Sequence, residues 1–282
     1  MKRTVVISGG GTGIGRAAAW AFARDGDRLV LVGRRADVLR RAAADLPDAV
    51  AHPADLTEPA DVRSVADMVR DRFGTVDVLL HCAGGTPSRQ AGGAPGTRAS
   101  DGTFSATTGR SGGDPSDVGG DGAAGEAEED PLAVLARGWT ADFRANTLSA
   151  VLLTEALADR LASPGGRVLF VSSIAAYRGS GVASYGAAKA ALHPYAHALA
   201  RRLGPRGVTV NTVAPGIVGD TDFFGEDGMT EENWRARIDE TLNGRAGTPG
   251  DVASTLHWLA SPAAGHVTSQ IVQVNGGAQR GS

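Results

Sequence analysis

Short aliphatic runs alternate along this 282-residue chain with longer stretches in which apolar residues recur every three or four positions. The runs predict strands near Thr4–Ser8, Arg28–Val32, Ala49–His52, Val76–His81, Arg167–Ser172, Val208–Val213 and Gln270–Val274. The periodic stretches predict helices near Gly13–Asp25, Ala36–Asp45, Glu58–Phe73, Leu132–Leu161, Ser184–Leu203 and Gly250–Ala260. Strands that are apolar throughout must be covered on both faces, and strand–helix alternation covers a parallel sheet that way. The pattern therefore predicts one α/β domain over residues 1–282: a doubly wound parallel sheet of about seven strands with helices on both faces. Pro194 falls inside the fifth helix, where its ring opposes the carbonyl of Ala190 and predicts a kink beyond Lys189.

One segment departs from this rhythm. From Thr86 to Asp130 the only large apolar side chains are Phe104 and Val118, among eleven glycines and eight acidic against three basic residues. Such a stretch buries too little apolar surface to offset its ordering entropy, which predicts a mobile, low-complexity insertion. Its functional alternative is a lid or a partner-docking loop.

Composition narrows the class. A net charge of -3 gives no reason to expect a nucleic-acid partner. The one cysteine, Cys82, excludes an intramolecular disulfide or a cysteine zinc cluster, and its place at the end of an apolar run suits a small buried filler. The N-terminal apolar run is too short for a signal-peptide core and no later run approaches a membrane span. A soluble cytoplasmic protein is expected. His193 and His197 stand four apart, yet without a glutamate between them or a third ligand nearby, so no metal site is expected.

The chemistry is concentrated in three stretches. "SGGGTGIG", Ser8–Gly15, follows the first predicted strand and opens the first helix. There Gly9 permits a tight turn, Gly13 lets the backbone approach a pyrophosphate, and Gly15 lets helix and sheet pack closely, with the helix N-terminus facing the phosphates. The second strand ends in "LVGRR": Gly33 stands where an acidic residue would meet a ribose 2′-hydroxyl, and Arg34 and Arg35 follow. A guanidinium grips phosphate by paired hydrogen bonds, so the pair favours NADP(H) over NAD(H). In "SYGAAKAAL", Tyr185 and Lys189 are one helical turn apart, where an ammonium would lower the phenol's proton affinity. A strand ending in Ser172 and Ser173 precedes them and directs one serine to the crevice at the strand ends.

These motifs, in this order, resemble the short-chain dehydrogenase/reductase family of the Tyr-x-x-x-Lys type, similar to 3-oxoacyl-acyl-carrier-protein ketoreductases. The spacing Gly9-x3-Gly13-x-Gly15 resembles the family's T-G-x-x-x-G-x-G turn, with Ser8 in place of threonine. "ADLTEP" resembles its Asp-Leu pair at Asp55 and Leu56, although Asp55 or Thr57 reads equally as a helix cap. "HCAGG" matches N-N-A-G only at Ala83 and Gly84, with His81 and Cys82 as departures. "ADFRANTL" matches its helix asparagine at Asn146, and "VNTVAPGIVGDT" its N-x-V-x-P-G turn. The resemblance runs from Thr4 to Gly277 and leaves the insertion unmatched.

It implies a Rossmann-type fold with cofactor contacts at Gly9, Thr12, Gly13, Ile14, Gly15, Arg34, Arg35, Asp55, Leu56, Ala83, Gly84, Tyr185, Lys189, Pro215, Gly216 and Val218. It implies a catalytic set of Asn146, Ser173, Tyr185 and Lys189. The family's usual interval before the tyrosine selects Ser172, whereas its usual place as second of a pair selects Ser173. A loop loses a residue more readily than a strand slips register, so Ser173 is preferred. Tyr177 has no lysine four residues later and is expected to line the pocket. Residues 217–245 correspond to the variable substrate loop, with Phe223, Phe224, Met229 and Trp234 as pocket walls or loop anchors. Thr221 lies one residue beyond the family's nicotinamide-contacting threonine.

The activity implied is hydride transfer between NADPH and a ketone or secondary alcohol, with a 3-oxoacyl or polyketide-like ketone foremost and no metal. The alternatives are an alcohol dehydrogenase on a sterol or sugar, or a non-enzymatic NADP-binding regulator whose arm is the acidic insertion. The substrate is either free or held on a carrier protein, for which Arg201, Arg202 and Arg206 offer a basic helix end that reads equally as a solvated surface. The resemblance also implies a homotetramer, assembled through the helices beginning near Asn146 and Ser184.

Overall fold

In a computed structural model, residues 2–90, 129–224 and 229–280 are described, the side chains of 89, 90 and 224 excepted. The expected insertion from 86 to 130 thus falls largely outside the described residues, as do positions 225–228 of the expected substrate loop. The chain begins with strand β1 (Thr4–Ser8), helix α1 (Gly13–Arg24), β2 (Arg28–Gly33), α2 (Ala36–Ala44), β3 (Ala49–Pro53), α3 (Pro59–Arg72) and β4 (Val78–His81). It continues through a short α4 (Pro87–Gln90), α5 (Pro131–Phe143), a π-turn (Arg144–Leu148) and α6 (Ser149–Leu157) to β5 (Arg167–Val171). Then come α7 (Ala175–Arg178), α8 (Ala183–Leu203), β6 (Thr209–Pro215), α9 (Glu231–Asp239), α10 (Pro249–Leu259) and β7 (Ile271–Val274).

The seven strands form one sheet in the order β3-β2-β1-β4-β5-β6-β7. Every pairing is parallel. The chain winds outward from β1 to β3, then returns to place β4 on the other side of β1. Ligands of such sheets lie at the carboxyl ends of the strands beside that reversal.

Strand alternation divides the core in two. Val6, Val30, Leu79, Val168, Phe170 and Val210 point to one face and pack against α3, α6 and α8 through residues such as Val65, Leu153, Leu192 and Leu199. Val5, Ile7, Leu29, Leu31, Leu80 and Leu169 point to the other and meet α1, α2 and α10 through Ala18, Phe22, Leu39, Val252 and Leu256. In α1 the inward positions Gly15, Ala18, Ala19 and Phe22 follow the helical period, and small residues bring this helix close to α10. A capping box between Thr248 and Asp251, with Pro249 at the first helical position, starts α10.

Two segments differ from the sequence-based reading, and α8 accommodates its proline. The helix expected over Leu132–Leu161 is interrupted by the π-turn at Arg144–Leu148 and ends in a 3₁₀ turn at Ala158–Arg160. Helix α8 runs from Ala183 to Leu203 without interruption, with Pro194 inside it. Thr86 and Ser88, assigned to the insertion, are buried against the core of the domain.

Candidate active site

At the carboxyl edge of β1 the backbone turns sharply at Gly9 and Gly13, whose φ angles are +69° and +47°. Both values fall in the left-handed region, where a side chain would strain the backbone. The turn is also crowded: a Cβ on Gly9 would stand 2.7 Å from the Ala83 nitrogen, and one on Gly15 would stand 2.2 Å from the Gly9 carbonyl oxygen. Ser8 accepts a hydrogen bond from the Ala83 N–H at 3.2 Å, joining this turn to the loop after β4. Thr12, the N-cap of α1, makes no side-chain cap, which leaves the N–H groups of the first turn directed outward.

The turn opens into a cleft of about 1670 Å³. Gly9, Thr12, Gly13, Ile14, Gly15, Arg34, Arg35, Asp55, Leu56, Ala83, Gly84, Ser173, Tyr185, Lys189, Pro215, Gly216 and Val218 all line it. The expected contacts, scattered over the sequence, thus share one surface, while Asn146 lies buried just behind it. Asp55 does not cap α3, whose N-cap is Glu58; it accepts from the N–H and hydroxyl of Thr57 at 2.9 and 2.8 Å. Burial opposes ionisation of Asp55, but those hydrogen bonds and the charges of Arg34 and Arg144 hold its carboxyl below the ordinary range. Arg35 pairs with Asp222 at 2.9 Å across the mouth of the cleft, a partner that local sequence gave no sign of.

At the floor of the cleft four segments converge. The alternation that sends Phe170 toward α8 sends Ser172 the same way: it bonds the Lys189 carbonyl at 3.1 Å and His193 Nε2 at 2.8 Å. Ser173, the next residue, lies beside the ring of Tyr185 and hydrogen-bonds its phenol, while accepting from the Ala175 N–H at 3.1 Å. Lys189 Nζ donates to the Val171 carbonyl at 2.9 Å and stands 6.0 Å from the Tyr185 ring centroid. Phe223 packs its ring on that of Tyr185, with centroids 5.2 Å apart, on the pocket wall where the sequence offered wall or anchor. Met229 also lines the cleft, and Tyr177 packs on His193 instead.

The π-turn explains how Asn146 reaches this centre. A π-turn displaces the helical hydrogen bonds by one residue and frees a carbonyl for other partners. The Asn146 amide donates to the Asp142 carbonyl at 2.9 Å and to the Gly85 carbonyl at 2.8 Å, and its oxygen accepts from the Gly85 N–H at 3.0 Å. Thr147, its neighbour, donates to the Ala188 carbonyl at 2.7 Å. These contacts tie α5, the loop after β4 and α8 together around Gly84. A Cβ on Gly84 would lie 2.6 Å from Asn146 Oδ1 and 2.9 Å from Lys189 Nζ.

Electrostatics corrects one expectation. Burial pushes the Tyr185 phenol up to about 12; the Ser173 hydrogen bond opposes this, and the charge of Asp142 adds to it. The lysine one turn away does not reverse the shift, because its ammonium is turned to the Val171 carbonyl and is itself desolvated. Burial draws Lys189 down to about 8. Burial likewise raises the Cys82 thiol to about 12 and, aided by Lys189, holds the His81 imidazole near 3. Cys82 therefore stays a thiol and His81 a neutral ring, stacked on Phe170 and bonded to Thr154.

The comparisons with known proteins agree with this geometry. A family model described as short chain dehydrogenase matches residues 3–104, and one described as enoyl-(acyl carrier protein) reductase matches 121–279. The chain belongs to the short-chain dehydrogenase family. Among its relatives, carbonyl reductase family member 4 of Danio rerio is 30% identical, over 99% of each chain. The 3-oxoacyl-[acyl-carrier-protein] reductase of Vibrio cholerae is 27% identical over 98% of this chain and 96% of that one. A galactitol 2-dehydrogenase of Cereibacter sphaeroides is 31% identical over 96% and 92%. A solved short-chain dehydrogenase/reductase of Brucella melitensis superposes with a TM-score of 0.73 at 27% identity, covering both chains fully.

Members of the short-chain dehydrogenase family are nicotinamide-dependent oxidoreductases, and the residues present fit that cofactor. The glycine cradle has room for a pyrophosphate only because no Cβ fills it. Above it stands Thr221, whose buried hydroxyl has no partner among the described residues and whose methyl would lie 3.3 Å from a Cβ on Gly13. A phosphate or carboxamide would supply the missing hydrogen bond. Sequence reading missed Asp142, Ser88 and Ser184 at this site. Their grouping joins segments distant in the chain, and no local spacing signals it.

Proposed function

We propose that this short-chain dehydrogenase is an NADPH-dependent ketoreductase acting on a 3-oxoacyl or polyketide-like ketone. The observation that carries the reading is the convergence of Tyr185, Ser173 and Lys189 at the floor of a cleft whose rim holds Arg34 and Arg35. NADPH, when bound, supplies the hydride. The Tyr185 hydroxyl gives its proton to the oxygen of the reduced carbonyl, and a phenol held protonated up to about 12 is charged with that proton at working pH. Ser173 donates a hydrogen bond to the same oxygen and stabilises the charge that grows there. Lys189 orients the ribose hydroxyls, and its ammonium favours the phenolate that remains after transfer. Asn146 keeps Gly84–Gly85 and the lysine in register.

Arg34 and Arg35 support the preference for NADPH, since a 2′-phosphate needs the fork that a guanidinium presents. Arg35 must exchange Asp222 for that phosphate. The sugar-alcohol relative favours a second reading, an alcohol dehydrogenase working in the oxidative direction through the same residues. The enzyme also works as a homo-oligomer in our reading. Leu132, Leu135, Trp139 and Phe143 form an exposed apolar stripe along α5, and a second copy of this chain is the occupant that buries it.

Loss of NADPH absorbance with a panel of 3-oxoacyl thioesters, simple ketones and sugars tests the function. Wild type turns over at least one ketone, and Tyr185→Phe is slower by about 10²–10⁴-fold with unchanged NADPH binding. Equal inertness of both proteins while cofactor still binds would establish the regulator reading instead.

A further inference from the structure

Asp142 is wholly buried, and among the described residues its side-chain hydrogen bonds form one short circuit. Its Oδ1 accepts from the Ser88 N–H at 3.1 Å, and its Oδ2 accepts from the hydroxyls of Ser88 at 2.7 Å and Ser184 at 2.5 Å. Ser88 and Ser184 are buried with it. A carboxylate in such a place costs several kcal/mol of lost hydration, and an apolar residue on this face of α5 would pack without that cost. The donors are also not arbitrary. Ser88 closes the strap that begins at Gly84–Gly85, and Ser184 immediately precedes Tyr185 on α8. One turn further along, the Asp142 carbonyl receives the Asn146 amide.

We propose that Asp142 is a positioning residue for the proton transfer at Tyr185: it locks the Gly84–Ser88 strap to the start of α8 and holds a buried carboxylate one hydrogen bond from Ser184, the tyrosine's neighbour in the chain. The inference rests on the role given above to Tyr185. Among the described residues the groups able to carry charge that act on this centre are Lys189 on the same helix and Asp142 on α5, while Cys82 in the loop after β4 and His81 on β4 act on Lys189. The thiol and the imidazole keep one protonation state across the working range, so the balance at Tyr185 is struck between one ammonium and one carboxylate. The ammonium alone would ease the proton away. The carboxylate restrains it, which keeps Tyr185 a loaded donor in the reductive direction. Burial gives this opposition its force, because a charge in the protein interior is poorly screened.

Asp142→Asn tests this. It keeps the size and the acceptor oxygen but removes the charge. The readout is the alkaline limb of the kcat/KM profile for ketone reduction, where activity falls as the donor loses its proton. Removing an anion lowers the proton affinity of Tyr185 and of Lys189 alike, so the limb moves to lower pH by about half a unit or more. Ser184→Ala keeps the charge with one donor fewer, and its limb moves to higher pH. A merely structural aspartate would lower kcat at every pH and leave both limbs where they are. A folded Asp142→Asn protein with an unmoved limb overturns the proposal. If that variant fails to fold, Ser184→Ala decides, and an unmoved limb there has the same consequence. Tyr185→Phe is measured alongside. If it retains the wild-type rate, the reading of the site fails and this inference with it. If it is inert while the Asp142→Asn limb stays in place, only the inference fails.

Discussion

Lys189 is the residue whose placement costs this fold most visibly, and that cost can be measured. Only 4% of it is exposed, and its ammonium has the Val171 carbonyl as a hydrogen-bond acceptor at 2.9 Å. Burial lowers its pKa from 10.5 to about 8, a difference corresponding to about 3 kcal/mol of destabilisation of the charged form. Below pH 8 the lysine is charged in both folded and unfolded chains, and the whole penalty is borne. Between pH 8 and 10.5 the unfolded chain binds more protons than the folded one, so stability rises with pH. Above 10.5 the penalty has vanished. Lys189→Met removes the charge and also one hydrogen bond worth about 1 kcal/mol. At pH 7, without nucleotide, the variant should therefore be more stable by about 2 kcal/mol, which raises the thermal midpoint by roughly 5 °C. The advantage should shrink from pH 8 upward and vanish or reverse near pH 10.5. Urea unfolding at pH 7, 8, 9 and 10 reads it directly. A variant less stable than wild type at pH 7, or a gap that does not change with pH, refutes the reasoning. The same variant should lose its oxidoreductase activity, the usual exchange of stability for function at an active site.

Other predictions follow from single contacts. Gly15→Ala places a Cβ 2.2 Å from a backbone oxygen that has nowhere to move, so NADPH affinity measured by fluorescence titration should fall at least about 100-fold; near-normal affinity would discount the glycine cradle. Arg34→Ala should raise the KM for NADPH about tenfold and leave that for NADH nearly unchanged, and a parallel change in both would argue against a 2′-phosphate contact. Trp139→Glu combined with Phe143→Glu, both on the exposed stripe of α5, should shift sedimentation toward a monomer, and an unchanged oligomer would place the interface elsewhere.

Much of the fold was legible because its signals are local. All seven strands fall where the apolar runs lie, and the last α-helix in the chain, α10, begins one residue from its expected start. The glycine turn was equally legible, since positive φ at Gly9 and Gly13 and the crowding at Gly15 are demands that a neighbouring residue type reveals. The spacing of Tyr185 and Lys189 on one helix face needed only the helical period.

Through-space relations were not legible. Ser172 turns to His193 and Ser173 to Tyr185 because of the way each side chain leaves the end of β5, a matter of register against β6 and of packing against α8. The π-turn at Arg144–Leu148 exists because Asn146 and Thr147 find partners in Gly85 and Ala188, far away in the chain. The proton affinity of Tyr185 went the opposite way from the sequence estimate for the same reason. An i,i+4 spacing counts a neighbouring charge, but only the folded core decides how much water remains around that charge and which buried carboxylate stands opposite it. Local periodicity thus determined the elements and most of the cofactor cradle, while tertiary packing decided which side chains meet and in what charge state.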